Sequence, residues 1–123
     1  MKRILLAEDD PFIIDIYTTK LKGADFEVDV VSEGDKVLEK VRKQKPDLLL
    51  LDIVLPTMNG WEILRAIRQS EDLKDLPVII LSNLYQKEEV EKGMKFGVLK
   101  YLIKAHFTPS EVVDEVKKVL ASL

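Results

Sequence analysis

Residue types able to bind a cation or an anion stand at the ends of several short apolar runs. Glu8 and Asp9 follow the first run, Asp52 follows four consecutive leucines, and Ser82 and Lys104 end the last two. Carboxylates gathered at one place repel one another, and a shared cation removes that repulsion. A hard divalent ion such as Mg²⁺, with Mn²⁺ as the alternative, prefers oxygen ligands of this kind. If these residues meet in the fold, they predict a divalent-cation site.

Each of these residues also has an ordinary structural explanation. Asp10 precedes a proline and has the sequence context of a helix cap, and negative charge on Glu8 and Asp9 is favourable beside a helix N-terminus. Ser82 could begin a turn, and Lys104 could be an exposed surface lysine. Only the repeated placement of these types at strand ends favours a common site.

The apolar runs predict β-strands, and the stretches between them have helical spacing. Four leucines in succession are typical of a strand buried on both faces, as in a parallel sheet covered by helices. The predicted strands are Ile4–Ala7, Phe26–Val31, Leu48–Leu51, Pro77–Ser82 and Leu99–Ile103. The predicted helices run from Pro11 to Gly23, from Ser32 through Val41, from Asn59 through Ile67, from Lys87 to Lys95 and from Thr108 through Leu120.

Local patterns predict how these helices begin and which side chains they bury. On the fourth helix the apolar positions are Val90 and Met94. Capping pairs, in which a polar side chain is followed three residues later by an acid, are Ser32 with Asp35, Asn59 with Glu62 and Thr108 with Glu111.

Strands alternating with helices predict an α/β fold, a doubly wound five-stranded parallel sheet with five helices. In the strand order 2-1-3-4-5 of flavodoxin-like folds, neighbouring strands about 4.8 Å apart would place Asp52 between the acids of the first strand and Ser82. Lys104 would then lie two strands away, roughly 10 Å at the backbone. A side chain as long as lysine could reach back to Asp52.

Composition limits the classes of protein to be considered. The 123 residues are 46% hydrophobic and 33% charged, as expected for one globular domain covering residues 1–123. A net charge of -3 does not favour direct binding to nucleic acid. Without cysteine there is no disulfide or thiolate metal site. We expect a cytoplasmic protein, because no segment has the pattern of a signal peptide or a membrane span.

The motifs at these strand ends resemble those of bacterial response regulator receiver domains, with single-domain chemotaxis regulators as the small examples. The resemblance covers nearly the whole chain. Its landmarks are Ile4 through Pro11, Pro46 through Asp52, Leu55-Pro56 with Asn59-Gly60, Pro77 through Ser82 and Tyr101 through Lys104.

The resemblance implies a phosphoryl acceptor and a metal site. Asp52 would receive a phosphoryl group from a histidine kinase or a histidine phosphotransfer protein. Asp9 would bind Mg²⁺ directly, Glu8 through a water, and the Val54 backbone carbonyl would supply a further contact. The protein would be an acceptor and a switch, without turnover beyond self-phosphorylation from small donors and loss of its own phosphate.

The resemblance also implies a two-state switch. Lys104 and the Ser82 hydroxyl would hold phosphoryl oxygens, and movement of Ser82 would free space into which Tyr101 turns. The surface formed by the fourth helix, fifth strand and fifth helix would change, and an unidentified downstream protein would bind it.

Several positions depart from the usual pattern of the family. Ala105 follows Lys104 where proline in a cis peptide is usual, and we expect a trans bond because a cis bond before other residues costs about 3 to 4 kcal/mol. Asn83 occupies a position where a small residue is common, which would restrict the room for Tyr101. We expect His106 to be ordinary surface.

Two apolar residues lie near the predicted phosphorylation site. Val54 and Leu84 each follow a site residue by two positions, where some relatives carry polar groups that orient the hydrolytic water. We expect slow loss of phosphate for this reason.

Three other interpretations remain open from the sequence. The chain could be the receiver part of a longer regulator with an output domain. Phosphohydrolases of the haloacid-dehalogenase type also use an Asp nucleophile, but carry a second Asp two residues on, where this chain has Val54. A flavodoxin-like cofactor binder would need a phosphate-binding loop where this chain has Glu8, Asp9 and Asp10.

Overall fold

A central sheet of five parallel strands organises the chain in the computed structural model, which describes residues 1–123. The spatial order is β2-β1-β3-β4-β5, as predicted. The strands are β1 (Arg3–Ala7), β2 (Glu27–Val31), β3 (Leu48–Leu51), β4 (Val78–Ser82) and β5 (Lys100–Ile103). Three of the predicted strands begin one residue later than expected, since Phe26, Pro77 and Leu99 lie just before them.

Five helices cover both faces of the sheet. They are α1 (Pro11–Gly23), α2 (Val37–Gln44), α3 (Gly60–Gln69), α4 (Lys87–Lys95) and α5 (Pro109–Ala121), with short 3-10 turns at Gly34–Lys36 and Lys104–His106. Apolar residues of α1 and α5 pack on one face of the sheet, and those of α2 and α3 pack on the other. None of the helices combines the length and the apolar character that a bilayer crossing requires.

The leucine run of β3 lies at the centre of both apolar layers. All four leucines are fully buried. Leu49 and Leu51 belong to the layer under α2 and α3, while Leu48 and Leu50 belong to the layer under α1 and α5. Because successive side chains of a strand point to opposite faces, an unbroken apolar run fills two cores at once.

Two of the three predicted helix caps are confirmed. Thr108 and Glu111 form a reciprocal capping box at α5, and the Asn59 side chain accepts the Glu62 N–H at the start of α3. The predicted start of the second helix at Ser32 is wrong, since α2 begins only after the Gly34–Lys36 turn.

The Asp35 side chain explains that difference. Its carboxylate accepts a hydrogen bond from the Thr57 hydroxyl at 2.8 Å, across the loop that follows β3. The Asp35 N–H in turn donates to Thr57 Oγ1 at 3.1 Å. Because Asp35 is engaged with another loop, it does not reach back to cap a helix at Ser32.

Helix α4 packs through a glycine instead of the predicted methionine. Met94 is 52% exposed, whereas Gly93 is buried against β4 and β5. A Cβ added to Gly93 would lie 3.0 Å from both Ile80 Cδ1 and Tyr101 Cδ2. The helix backbone therefore approaches the sheet closely at Gly93, where a larger side chain would require Ile80 and Tyr101 to shift, and Met94 lies outside the contact.

Candidate functional site

Parallel strand register brings two of the predicted acids together. Ala7 of β1 pairs with Leu51 of β3, so the next residues, Glu8 and Asp52, leave neighbouring strands at the same edge. The Asp52 N–H donates to the Ala7 carbonyl at 3.0 Å, which extends the ladder by one bond. The carboxyl ends of β1 and β3 thus hold both side chains on a rigid part of the sheet.

Lys104 joins these two acids from the far side of β4. Its Nζ lies 2.6 Å from Glu8 Oε2 and 3.0 Å from Asp52 Oδ2. Glu8 is 1% exposed and Asp52 7% exposed, so both carboxylates are withdrawn from bulk water. An ionised carboxylate in such surroundings needs a cation, and the lysine ammonium supplies one.

Burial and charge shift the pKa values within this cluster. Burial, together with the nearby Asp52 charge, raises the pKa of Glu8, and the hydrogen bond from Lys104 only partly offsets this. Burial by itself would lower the pKa of Lys104, but the hydrogen bonds and charges of Glu8 and Asp52 outweigh burial and raise it. Lys104 therefore stays protonated between the two acids.

Asp9 completes a group of three acids that fits a metal ion. One carboxylate oxygen from each of Glu8, Asp9 and Asp52 lies within 4.8 Å of the others. Asp9 is exposed to solvent, unlike the other two. Oxygen donors that combine buried and solvent-facing positions suit Mg²⁺, which retains several of its waters. The residues present therefore fit a hard divalent cation.

The loop after β3 orients the Asp52 carboxylate. The Val54 N–H donates to Asp52 Oδ1 at 3.2 Å, while Oδ2 contacts Lys104. Val54 is 61% exposed at the mouth of the site. The Gly60 N–H donates to the Ile53 carbonyl at 2.8 Å, which attaches this loop to the start of α3.

Gly60 contributes to the site in a way that sequence reasoning missed. A Cβ at this position would lie 2.7 Å from Ile53 Cα and 3.0 Å from the Asp52 carbonyl oxygen. Only glycine permits α3 to begin so close to the backbone that carries Asp52. The sequence does contain an indication of this role. Gly60 is the first residue of α3, directly after the Asn59 cap, and helix capping does not require glycine at that position.

A small cavity of ≈ 190 Å³ opens beside Asp52. The Ser82 hydroxyl at the end of β4 accepts the Leu84 N–H at 3.3 Å. The structure thus brings a carboxylate, a hydroxyl and an ammonium to one opening. The cavity is lined by Asp52, Val54, Ser82, Asn83, Leu84 and Lys104.

Tyr101 is half-buried, with its hydroxyl directed toward Leu84 in the loop after β4. The hydroxyl donates to the Leu84 carbonyl at 2.6 Å. Burial, with the charges of Glu89 and Asp52, raises the pKa of Tyr101 to about 12. The Asn83 side chain accepts the Ala105 N–H at 3.0 Å, and restricted room for an inward turn of Tyr101 stays a prediction.

Two expectations for the loop after β5 are confirmed, a trans peptide bond before Ala105 and an exposed His106. The Lys104–Ala105 peptide bond is trans, like every other peptide bond in the chain. His106 is exposed, with its ring centroid 6.4 Å from that of Tyr85.

Comparison with known proteins identifies similar chains. Residues 4–117 match the family model of the response regulator receiver domain. The DNA-binding response regulator MtrA of Mycolicibacterium smegmatis is 34% identical over 116 residues, which cover 94% of this chain and 49% of that protein. This chain therefore spans about half the length of the curated relatives that it matches.

Solved structures of similar proteins share the fold. The BeF3-activated N-terminal receiver domain of Klebsiella pneumoniae RstA superimposes with a TM-score of 0.85 at 28% identity, covering 95% of this chain and 97% of that one. The Mn²⁺-bound form of the response regulator Rcp1 gives a TM-score of 0.85 at 27% identity, covering 96% and 93% of the two chains.

Proposed function

Because this chain belongs to the response regulator receiver domain family of two-component signal transduction, we propose that its Asp52 accepts a phosphoryl group. The observation that carries the proposal is the contact of one Lys104 ammonium with both Asp52 and Glu8 beside a cavity. This arrangement keeps the acceptor carboxylate beside an ammonium that is already in place to stabilise negative charge developing during the transfer.

A divalent cation would be held by Glu8, Asp9 and Asp52, with the Val54 carbonyl as a further ligand. Mg²⁺ is the first candidate and Mn²⁺ the second, and the similar response regulator Rcp1 was solved in an Mn²⁺-bound form. When bound, such an ion neutralises charge shared between the acceptor carboxylate and the incoming phosphoryl oxygens.

The residues around Asp52 have separate tasks in the transfer. The Val54 N–H fixes one carboxylate oxygen, which orients the group toward the cavity. An Asp52 oxygen forms the new bond to phosphorus as the bond from phosphorus to the donor's histidine nitrogen breaks. Lys104 and the Ser82 hydroxyl, which line the same cavity, would then hold oxygens of the transferred group.

The new contacts would bias a two-state surface. The Ser82 hydroxyl now accepts a hydrogen bond from the Leu84 N–H, and Tyr101 donates to the carbonyl of the same residue. A phosphoryl group that recruits Ser82 would therefore act on the loop that Tyr101 also contacts. We place the resulting change on the surface of α4, β5 and α5, where a downstream protein would bind.

The partner in the transfer would be a histidine kinase or a histidine phosphotransfer protein. The chain acts as a phosphoryl acceptor in this proposal, with at most self-phosphorylation from small donors and loss of its own phosphate. The phosphohydrolase alternative is disfavoured because the position two residues after Asp52 is occupied by the exposed, apolar Val54, which can neither give nor take a proton.

Intact-mass measurement tests the proposal. Wild type, incubated with acetyl phosphate and Mg²⁺, should gain the mass of one phosphoryl group, and Asp52→Asn should gain none. An Asp15→Asn variant, which alters an exposed acid of α1, is the matched control and should behave like wild type. No gain in wild type, or an equal gain in Asp52→Asn, would refute phosphorylation of Asp52.

A further inference from the structure

A side-chain hydrogen bond joins the two loops that follow Ser82 and Lys104. The Ala105 N–H donates to Asn83 Oδ1 at 3.0 Å. Asn83 directly follows Ser82, and Ala105 directly follows Lys104. The bond therefore connects the immediate neighbours of two side chains that line the same cavity.

The end of the β4–β5 ladder explains why this bond forms. The last paired residues are Ser82 and Ile103, after which the chain enters the Lys104–His106 turn. The first N–H groups of a helical turn have no acceptor within that turn, and Ile103 provides no side-chain cap. The Asn83 side chain supplies the missing acceptor to the Ala105 N–H.

The position of the Lys104 backbone matters because its side chain reaches across two strands. The ammonium lies 2.6 Å from Glu8 Oε2 and 3.0 Å from Asp52 Oδ2. A side chain stretched between strands tolerates little displacement of its own Cα, and a lysine has many competing rotamers. A tether on the next residue limits that displacement.

We propose that Asn83 is a positioning residue, whose bond to the Ala105 N–H holds the Lys104 ammonium against Asp52. The arrangement needs a residue other than proline at position 105, as Ala105 is, because proline would have no N–H to donate. The inference rests on the proposed phosphorylation of Asp52 and adds to it the residue that aligns Lys104.

The first test observes the bond itself. Amide hydrogen exchange at Ala105, measured by NMR, should be faster in Asn83→Ala than in wild type, because the acceptor is lost. Asn83→Asp keeps an oxygen at the same position and should restore slow exchange. Gln86→Ala, which alters an exposed amide in the same loop that makes no cap bond, should leave Ala105 unchanged.

The second test asks whether the bond acts on Asp52. Asn83→Ala should slow phosphorylation by acetyl phosphate about threefold, in line with the loss of one exposed hydrogen bond. Ala105→Pro removes the donor, and it also restricts the backbone of Lys104 before it. Although Ala105→Pro alters the rate by itself, Asn83→Ala should cause no further slowing in that background.

The outcomes separate this inference from the proposed function. Equal Ala105 exchange in wild type and Asn83→Ala would overturn the inference, as would equal slowing by Asn83→Ala in the wild-type and Ala105→Pro backgrounds. Either result leaves phosphorylation of wild-type Asp52 intact. A wild type that gains no phosphoryl mass would overturn both.

Discussion

Lys104 determines the charge balance of the site at the scale of single residues. It contacts Glu8 and Asp52, both of which are almost fully buried. A buried ion pair gives little net stability compared with apolar residues, but removing one partner leaves an uncompensated charge. The cluster is therefore better explained by the proposed phosphoryl transfer than by stability, since it maintains acids at a place where the fold gains little from them.

Sequence reasoning identified these residues but not all of their contacts. Residue type and position at strand ends were enough to select Glu8, Asp9, Asp52, Ser82 and Lys104, which the structure places together. The bond between Asn83 and Ala105 could not be inferred in the same way, because it depends on the direction of a side chain in an irregular loop.

Val54 is predicted to prolong the lifetime of the phosphorylated state. It is 61% exposed beside Asp52 and cannot hydrogen-bond to a water through its side chain. Val54→Asn would supply an amide to orient an attacking water, and we expect phosphate loss to become faster by about three- to tenfold. The measurement is the decay of phosphorylated protein after removal of the phosphodonor.

An apolar position far from the site provides the control for this comparison. Leu99 is 40% exposed just before β5, at the opposite end of the sheet. Leu99→Asn should leave the lifetime unchanged. Equal lifetimes in wild type and Val54→Asn would show that this side chain does not govern water attack.

Glu111 should make the stability of α5 depend on pH. Its carboxylate accepts a hydrogen bond from the Thr108 N–H, which lowers the pKa of Glu111 below its ordinary 4.5. A depressed folded-state pKa gives stability that is present above 4.5 and is lost as the pH falls through the lower folded value. Glu111→Gln removes this dependence while keeping the shape of the side chain.

Urea unfolding of wild type and Glu111→Gln at several pH values measures the effect. We expect wild type to be the more stable protein near about pH 6, and the difference to shrink as the pH falls below 4.5. A difference that stays constant over this range would show that the Glu111 charge does not contribute to the cap.

At the scale of secondary-structure elements, local sequence predicted those boundaries that depend on local bonds. The Thr108 capping box lies within four residues and was identified correctly. The start of α2 depends instead on the bond between Asp35 and Thr57, which are far apart in the sequence. The packing of α4 likewise depends on how close Gly93 comes to Tyr101, which helical periodicity does not report.

The junction between β3 and α3 should be sensitive to a single methyl group. Gly60→Ala would place Cβ 2.7 Å from Ile53 Cα, a backbone atom that cannot rotate away. We expect a loss of roughly 1 to 3 kcal/mol in the free energy of unfolding, because the loop or the helix must shift. Since that loop carries Asp52, phosphorylation by acetyl phosphate should also slow.

Gly23→Ala is the matched control for Gly60→Ala. An added Cβ on this last residue of α1 has no neighbouring atom within 4 Å. Its unfolding free energy should stay within about 0.5 kcal/mol of wild type or rise, since alanine favours the helix. If both variants were equally stable, the close packing of α3 on the Asp52 loop would not be a constraint.

At the scale of the whole molecule, the alternation of apolar runs with helical segments was sufficient to predict the sheet and its layers. Parallel strands need crossover helices, and crossovers of one hand leave few possible strand orders. The order 2-1-3-4-5, known from flavodoxin-like folds, was predicted as the one that would bring the site residues together, and the structure confirms it. The prediction of the site thus depended on the prediction of the fold.

This dependence of the site on the fold predicts that a divalent cation stabilises the entire domain. The three acids follow two different strands, β1 and β3, so they form one site only in the folded chain. An ion that binds only the folded state adds stability by mass action, about 2.7 kcal/mol at a hundred times its Kd. Urea unfolding with increasing Mg²⁺ should show this gain in wild type.

Asp9→Ala separates metal binding from folding, because Asp9 is exposed and its loss should cost the metal-free protein little. We expect at least about tenfold weaker Mg²⁺ binding, hence a much smaller gain at equal Mg²⁺. Asp15→Ala, which removes an exposed acid from α1, should retain the full gain. An equal gain in Asp9→Ala and wild type would place the stabilising ion elsewhere, because an ion held by Asp9 must bind more weakly once this carboxylate is gone.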